Sequence, residues 1–200
     1  MFARRRHALQ CGLISMLLSI CYGCVTPAQS PSPPFSSELS APTQFLAQGK
    51  LLVVQGERRS SLRFRWLQQD QFAIDLWGPL GTARHQLRGD ETLMTISQGN
   101  AVLAAGTLEE IMQAHLGWSL PLQVVPFWLM GQPHQQASVR LVRRDADGRL
   151  VAFSQGSWQI MLSNFASLND IELPKKISMQ REGLAITIVL SSPLQTDVSD

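Results

Sequence analysis

The side chains best suited to covalent chemistry are three cysteines, Cys11, Cys21 and Cys24, and all of them lie near the start of the sequence. Cys24 follows a basic segment, Met1–His7, and a mostly apolar run, which is the order of a secretory signal peptide. The apolar run covers about 12 residues, whereas a helix that spans a bilayer needs about 20. A cysteine in this place can be acylated and become the first residue of the mature chain, as in the lipobox of bacterial lipoproteins. We therefore expect a lipoprotein-type signal peptide over residues 1–23 and a lipid anchor at Cys24.

Two alternatives to acylation of Cys24 stay open. Cleavage before Cys21 would put the bulky Ile20 where a small residue is preferred, whereas Gly23 suits cleavage before Cys24. A secreted protein with a stray thiol is the other alternative. Val25 follows Cys24, and because an Asp at that position tends to retain a lipoprotein in the inner membrane, its absence favours the outer membrane.

Residues that could carry out catalysis or bind a metal do not form a known motif in this sequence. HExxH, GxSxG, the P-loop and GxGxxG are all missing. His85, His115 and His134 stand alone in their local contexts. We therefore expect no catalytic residue, no metal site and no cofactor. An exported enzyme whose site is assembled from distant residues stays open as an alternative.

A short segment, Trp77–Gly81, combines turn residues with an apolar side chain at its tip. Pro79, Gly78 and Gly81 favour a tight turn between two strands. Leu80 lies at the tip, where either it folds back onto the body or it projects into the solvent. In a protein held at a bilayer, a projecting leucine could enter the acyl chains, and burial of one leucine is worth roughly 1.5–3 kcal/mol.

Charge and composition divide the chain and exclude one class of partner. Of 17 basic residues, Arg4, Arg5 and Arg6 fall in the expected signal peptide, which leaves 14 against 15 acidic residues. The mature chain therefore has no electrostatic attraction to polyphosphate, and no nucleic-acid partner is expected. Residues 24–43 are rich in proline and serine, which predicts an extended tether behind the lipid anchor. Residues 44–200 are then the folded domain.

Short runs of alternating apolar and polar residues after Gly49 predict antiparallel strands. We predict about 11 strands, six before and five after a pair of helices. The predicted strands cover 50–55, 61–67, 72–77, 83–88, 92–97, 101–104, 138–144, 150–155, 158–162, 175–181 and 184–190. The predicted helices are Leu108–Leu116, capped by Thr107, and Pro121–Met130, kinked at Pro126. We also predict a loop at 163–174 and a short amphipathic helix within 35–47.

A single antiparallel sheet of this size has to curl in order to hide its apolar face. We therefore predict a mainly β, α+β fold: a half-open antiparallel β-barrel of about 11 strands whose helices cover an apolar cavity. Phe64, Trp66, Trp128 and Trp158 are large side chains placed to face inward. Either they fill a packed core or they line the cavity.

These features in their order along the chain resemble the LolB family of outer-membrane lipoproteins. The resemblance extends from the lipobox to near the C-terminus, and its most specific parts are the strand pair 62–76, the Pro79–Gly81 turn and the segment Gly117–Pro133. Within that last segment the strings LPL and FWLMG follow the family pattern, and Trp158 also has a family-like position. Gly78 departs from the pattern, since a residue such as Asn is expected there, and this predicts a looser turn.

The resemblance implies a monomeric receptor, anchored by lipid at the periplasmic face of the outer membrane. It would accept client lipoproteins from the soluble carrier LolA by their acyl chains and insert them into outer-membrane lipid without nucleotide or metal. The family's projecting leucine corresponds to Leu80, flanked by Pro79 and Gly81. The acyl chains would lie in an apolar cavity lined by Phe64, Trp66, Trp128 and Trp158. The alternative is an anchored lipoprotein that binds another apolar ligand or serves as a scaffold, without transfer.

Overall fold

The computed structural model describes residues 43–90, 92–168 and 171–196. The expected signal peptide, Cys24 and the expected tether up to residue 42 lie outside the described residues. The amphipathic helix expected within 35–47 lies only partly inside them, and there the prediction is wrong. Phe45 begins a strand, is fully buried, and lies with its ring centroid 5.3 Å from that of Trp66. This aromatic contact ties the start of the domain into the core.

Eleven strands in the described residues form one sheet. The six strands before the helices are β1 (Phe45–Gln55), β2 (Arg58–Gln68), β3 (Phe72–Trp77), β4 (His85–Gly89), β5 (Met94–Gln98) and β6 (Ala101–Gly106). The five after them are β7 (Val139–Arg144), β8 (Leu150–Gln155), β9 (Trp158–Leu168), β10 (Ile171–Arg181) and β11 (Leu184–Leu190). Strands that are consecutive within each group form antiparallel hairpins.

The first and last strands of the domain join the two groups, because β1 pairs antiparallel with β11. The resulting order is β6-β5-β4-β3-β2-β1-β11-β10-β9-β8-β7, so that β6 and β7 are the two edges and the sheet is open. The predicted fold class, a half-open antiparallel sheet of 11 strands with few helices, is confirmed.

The alternation in the sequence decides which face of the sheet each side chain occupies. Phe64 and Trp66 on β2 are buried on the concave face, and Arg63 and Arg65, which alternate with them, lie on the convex face. The same period continues across the sheet, where Phe64 lies opposite Leu76 and Trp66 opposite Ile74. One face of the sheet is therefore a continuous apolar surface.

Two helices cover the concave face: α1 (Leu108–Leu116) contacts β5 and β6, and α2 (Val125–Leu129) contacts β10. Gly117 ends α1 in the left-handed conformation at φ 78°, which glycine adopts without a steric cost. Pro126 lies in the first turn of α2, where a helix requires no backbone N–H bond, and so it starts the helix rather than kinking it. None of the helices in these ranges is both long and apolar enough to span a membrane.

The loop predicted at 163–174 is wrong, because β9 and β10 extend as a long hairpin through this segment. Leu168 lies opposite Ile171, and Leu173 opposite Ala166. The sequence gives little sign of these strands. Residues 163–168 are rich in serine and asparagine and lack alternation of apolar and polar residues, and Pro174 cannot donate a hydrogen bond to a neighbouring strand. Pairing along the partner strand holds the segment extended in spite of its weak local preference.

Candidate functional site

A small cavity of about 40 Å³ lies between the concave face of the sheet and the segment that covers it. Every side chain that lines it is apolar. The sheet contributes Leu51, Phe64, Trp66, Ile74, Leu76, Leu87 and Ile188, and the cover contributes Met112, Trp118, Leu120 and Leu122. The structure thus brings Phe64 and Trp66 of the predicted set to the cavity wall.

The cover of this cavity is the segment that connects the two helices, together with Met112 of α1. Trp118, Leu120 and Leu122 alternate along this segment, and all three are buried. Sequence reasoning did not assign these three to the cavity, although their alternation next to Pro121, which disfavours a regular helix, is the signal that could have found them. We call residues 118–122 the cover segment.

A larger groove of about 370 Å³ lies beside the cavity. Its apolar wall comes from Phe72, Leu108, Pro126 and Phe127, and its rim carries the polar side chains of Gln68, Gln69, Asp70, Asp90 and Gln123. Leu122 lines both this groove and the 40 Å³ cavity. Leu122 therefore lies between the groove and the cavity and contacts both.

Trp128 and Trp158, the other two predicted cavity residues, lie together elsewhere in the core. Both are buried, and their ring centroids are 6.1 Å apart at an interplanar angle of 59°. Neither is among the described residues that line the 40 Å³ cavity. The structure places them where α2 meets β9.

A buried glutamine fixes this tryptophan pair to the sheet. Gln155 on β8 is 4% exposed, and its Oε1 accepts hydrogen bonds from the indole Nε1 of Trp128 at 2.9 Å and from the backbone N of His134 at 3.0 Å. Its Nε2 donates to the carbonyl oxygens of His134 at 2.7 Å and of Ala137 at 3.3 Å. One side chain therefore satisfies several buried polar groups that would otherwise be costly.

Arg181 on β10 connects the tryptophan pair to the cover segment. Its guanidinium carbon lies 4.8 Å from the ring centroid of Trp158, and its NH2 nitrogen donates to the hydroxyl of Ser119 at 3.0 Å. Ser119 is buried between Trp118 and Leu120. This hydrogen bond and cation–π contact hold the cover segment against the sheet.

The segment Gly78–Thr82 presents Leu80 to the solvent with a relative exposure of 103%. Leu80 has the left-handed backbone conformation, φ 59° and ψ 20°, which costs a non-glycine residue about 1–2 kcal/mol. The neighbouring bonds hold it there: the N–H of Gly78 donates to the carbonyl of Thr82 at 2.7 Å, and the hydroxyl of Thr82 donates to the carbonyl of Pro79 at 2.9 Å.

The looser turn expected from Gly78 stays a prediction, and the structure shows why glycine fits at this position. A Cβ at this position would lie 2.9 Å from the hydroxyl oxygen of Thr82, which is too close. Glycine at position 78 therefore makes room for the threonine that closes the turn.

The candidate histidines do not form a metal centre in this structure. In the described ranges, no three His, Cys or carboxylate side chains come together in a metal-binding cluster. His134 packs edge-on against Phe127, with ring centroids 4.5 Å apart.

Known proteins resemble this chain in sequence and in fold. A family model described as outer membrane lipoprotein LolB matches residues 43–192. The chain belongs to the LolB family. The predicted family is therefore confirmed, and so is the function that the resemblance implies, that of an outer-membrane lipoprotein acting in lipoprotein localisation.

Members of the LolB family align over nearly the full length of this chain. The outer-membrane lipoprotein LolB of Nitrosococcus oceani is 30% identical over 189 residues, which cover 89% of this chain and 94% of the relative. The LolB of Cellvibrio japonicus is 26% identical over 194 residues, covering 92% and 96%.

Solved structures share the fold at low sequence identity. A LolA superfamily protein from Nitrosomonas europaea superposes with a TM-score of 0.51 at 8% identity, covering 78% of this chain and 87% of that one. A DUF1329 family protein from Desulfovibrio piger gives a TM-score of 0.51 at 10% identity, covering 80% and 88%. At such low identities the similarity shows the fold alone.

Proposed function

We propose that this protein accepts client lipoproteins from a LolA-type periplasmic carrier by taking up their acyl chains, and then inserts them into the outer membrane. The observation that carries the proposal is the all-apolar cavity under a cover segment, beside an open groove that also contacts Leu122, in a member of the LolB family. An apolar surface binds acyl chains without directional contacts, which suits clients that share only their lipid.

The cavity has to enlarge before it can hold an acyl chain. A cavity of about 40 Å³ is well below the roughly 150 Å³ that holds a benzene molecule. The cover segment is the part that can move away, since it rests on the sheet through side chains. Exposing Trp118, Leu120 and Leu122 costs about 4.5–9 kcal/mol at about 1.5–3 kcal/mol each. Burial of about 6–11 methylene groups at about 0.8 kcal/mol each offsets this cost, so an acyl chain is long enough to hold the cavity open.

Transfer without an energy source needs a gradient of affinity. The receptor cavity has to bind acyl chains more tightly than the carrier does, and the bilayer more tightly than the receptor. The free energy needed to displace the cover segment favours the second step, which is transfer from the receptor to the bilayer. It weakens the hold of the receptor on the chains and so favours their release into the bilayer.

Leu80 is the proposed membrane-insertion residue, with Pro79 and Gly81 shaping its turn. Because the side chain is fully exposed, insertion into acyl chains gains its entire burial energy, about 1.5–3 kcal/mol or about 10- to 160-fold in partitioning. That gain orients the protein and opens a path for the client. The anchor that keeps the protein at the membrane is a separate element.

The proposed anchor is Cys24, exposed by removal of the signal peptide at residues 1–23. Two or more acyl chains on one cysteine hold a protein durably at a bilayer, whereas a single chain binds only marginally. Residues 24–43 are the proposed tether, and 44–200 the proposed monomeric receptor domain. Mass spectrometry of the mature N-terminus tests this part, because acylation of Cys21 or an unmodified thiol would contradict it.

The function is tested by reconstitution with a carrier loaded with a radiolabelled client and with vesicles that hold the receptor. We expect Leu80→Glu to accept the client from the carrier but not to deliver it to the bilayer. Leu141→Glu is the matched control, since Leu141 is also exposed, at 77%, and also has a positive φ of 52°. A client that never crosslinks to a photoreactive group at position 120 would contradict uptake into the cavity and favour a scaffold instead.

A further inference from the structure

Cationic side chains form a row on the convex face of the sheet that leads to the Leu80 turn. Lys176 and Lys50 both lie opposite Val189, Lys50 lies opposite Arg63, and Arg63 lies opposite Trp77. Residues that are direct partners in neighbouring strands share a face, so these side chains stand side by side across five strands. We call Lys176, Lys50 and Arg63 the cationic row.

Two members of the cationic row, Lys50 and Arg63, border the same groove as the turn. This groove has a volume of about 570 Å³. The cations Lys50 and Arg63, the indole of Trp77 and the turn residues Gly78–Gly81 line it. None of the ion pairs found among the described residues engages Lys50 or Arg63. The nearby carboxylate of Asp75 is occupied by other partners, because it lies 3.4 Å from Arg84 and accepts a hydrogen bond from Gln86. The positive charge of the row is therefore available to an outside ligand.

The acidic residues next to the groove lie at the other end of the same hairpins. Asp70 follows β2 and Asp90 follows β4, whereas the Leu80 turn connects the opposite ends of β3 and β4. The two ends thus differ in charge and in chemistry: carboxylates and amides surround the groove, while cations, an indole and a leucine surround the turn. The chemistry around the turn is therefore complementary to a surface that is negatively charged and has an apolar interior.

We propose that the cationic row binds the phosphate groups of phospholipids while Leu80 enters the acyl region and Trp77 lies at the boundary between them. The order of a leucine, an indole and then ammonium and guanidinium groups matches the order of layers in a bilayer surface. The inference rests on the proposed insertion role of Leu80. It adds that the lipid headgroups decide how the receptor is oriented.

Anionic lipid should strengthen insertion of the turn by a predictable factor. A lysine or arginine near an anionic surface contributes roughly a five-fold change in membrane affinity, so Lys50 and Arg63 together contribute roughly 25-fold. Raising the ionic strength from about 0.1 M to about 1 M shortens the Debye length from about 10 Å to about 3 Å and should remove most of this factor.

The experiment uses the acylated full protein in vesicles, with a fluorophore that brightens in apolar surroundings attached at Ala83→Cys, one residue beyond the turn. The sequence has no cysteine after Cys24, so a mature chain acylated at that residue offers no competing thiol. Vesicles of phosphatidylcholine are compared with vesicles in which a quarter of the lipid is phosphatidylglycerol. We expect about a 25-fold shift of the insertion equilibrium towards the bilayer in the anionic vesicles, lost in Lys50→Gln/Arg63→Gln and at high salt.

Arg140→Gln/Arg143→Gln is the matched control, because it removes the same charge from exposed residues on the edge strand β7. Equal insertion in neutral and anionic vesicles, or equal loss in the control variant, would overturn the proposal. So would a Lys50→Gln/Arg63→Gln variant that inserts normally but takes clients from the carrier slowly, since the cations would then serve a protein partner. Client delivery measured in the same vesicles separates the two proposals: if the unaltered protein delivers nothing, the proposed function itself fails. If a variant unfolds, the salt dependence of the unaltered protein still decides.

Discussion

Replacement of Leu122 by alanine should join the groove to the cavity and open the interior to acyl chains. Leu122 is 7% exposed and lines both spaces, so we expect its side chain to separate them. In the unaltered protein an acyl chain has to displace this side chain before it can advance. In the variant the path is already open.

The magnitude follows from the carbon atoms removed. The Leu122→Ala substitution removes one methine and two methyl groups. At about 0.8 kcal/mol each, their burial contributes about 2.4 kcal/mol. We expect a loss of about 2–3 kcal/mol in the free energy of unfolding, near the low end of the range for buried leucines, because the site already borders open space. The affinity for an acyl chain should rise by up to about 60-fold, since 1.36 kcal/mol is a factor of ten.

Both quantities can be measured on a chain that lacks the proposed acyl anchor, Cys24→Ala. Urea unfolding gives the stability, and titration with a fluorescent fatty-acid analogue gives the affinity. Leu184→Ala is the matched control, because Leu184 is equally buried, at 6%, but lines neither space. It should lose similar stability and gain no affinity.

Two results would refute the reasoning. If Leu122→Ala is destabilised but binds the fatty acid no better than the unaltered chain, Leu122 is not the barrier to entry. If Leu184→Ala gains as much affinity, loosening of the whole domain explains the effect.

Two further changes test the contacts around the site, and a third tests an ion pair in the turn between β7 and β8. Gln155→Leu should lower the unfolding free energy by about 2–4 kcal/mol in a urea titration, because an indole and a backbone N–H lose their buried acceptor, and an unchanged midpoint would contradict the network. Arg181→Gln, which removes the charge over the indole and weakens the bond to Ser119, should speed hydrogen exchange of the cover segment by about 5- to 10-fold without altering exchange in β1. Hydrogen bonding to Arg149 lowers the pKa of Asp145 below 3.8, so this pair stabilises the fold above the unfolded pKa and loses its contribution as the pH falls through the lower folded pKa. The melting temperature of Asp145→Asn should therefore fall less steeply with decreasing pH than that of the unaltered protein. An identical pH dependence would exclude a contribution of this pair to stability.

Periodicity made the sheet largely predictable. The alternation in β2 and β3 located these strands and identified their buried faces, because one side of the sheet is apolar and the other polar. The extended ends of β9 and β10 could not be found in this way. There a serine-rich segment and a strand containing Pro174 are held by each other across a hairpin, although neither shows the alternation of apolar and polar residues that identifies a strand.

The candidate site was also only partly predictable from the sequence. Phe64 and Trp66 could be placed on the cavity wall from the face they share on one strand. The cover segment was missed, because the alternation of Trp118, Leu120 and Leu122 is too short to predict a strand, and in the structure the segment forms no regular element. Trp128 and Trp158 are large inward side chains that do not line the 40 Å³ cavity, and their part in binding acyl chains stays a prediction.

The open edges of the sheet bear on which clients the protein can accommodate. A fully closed barrel has a circumference fixed by its ring of interstrand bonds, so it can widen only if some of them break. Here β6 and β7 end the sheet, and the curvature can relax while every rung of the ladder stays intact. The proposed uptake of acyl chains can therefore be accommodated by a change in the curvature of the sheet that breaks no interstrand hydrogen bond.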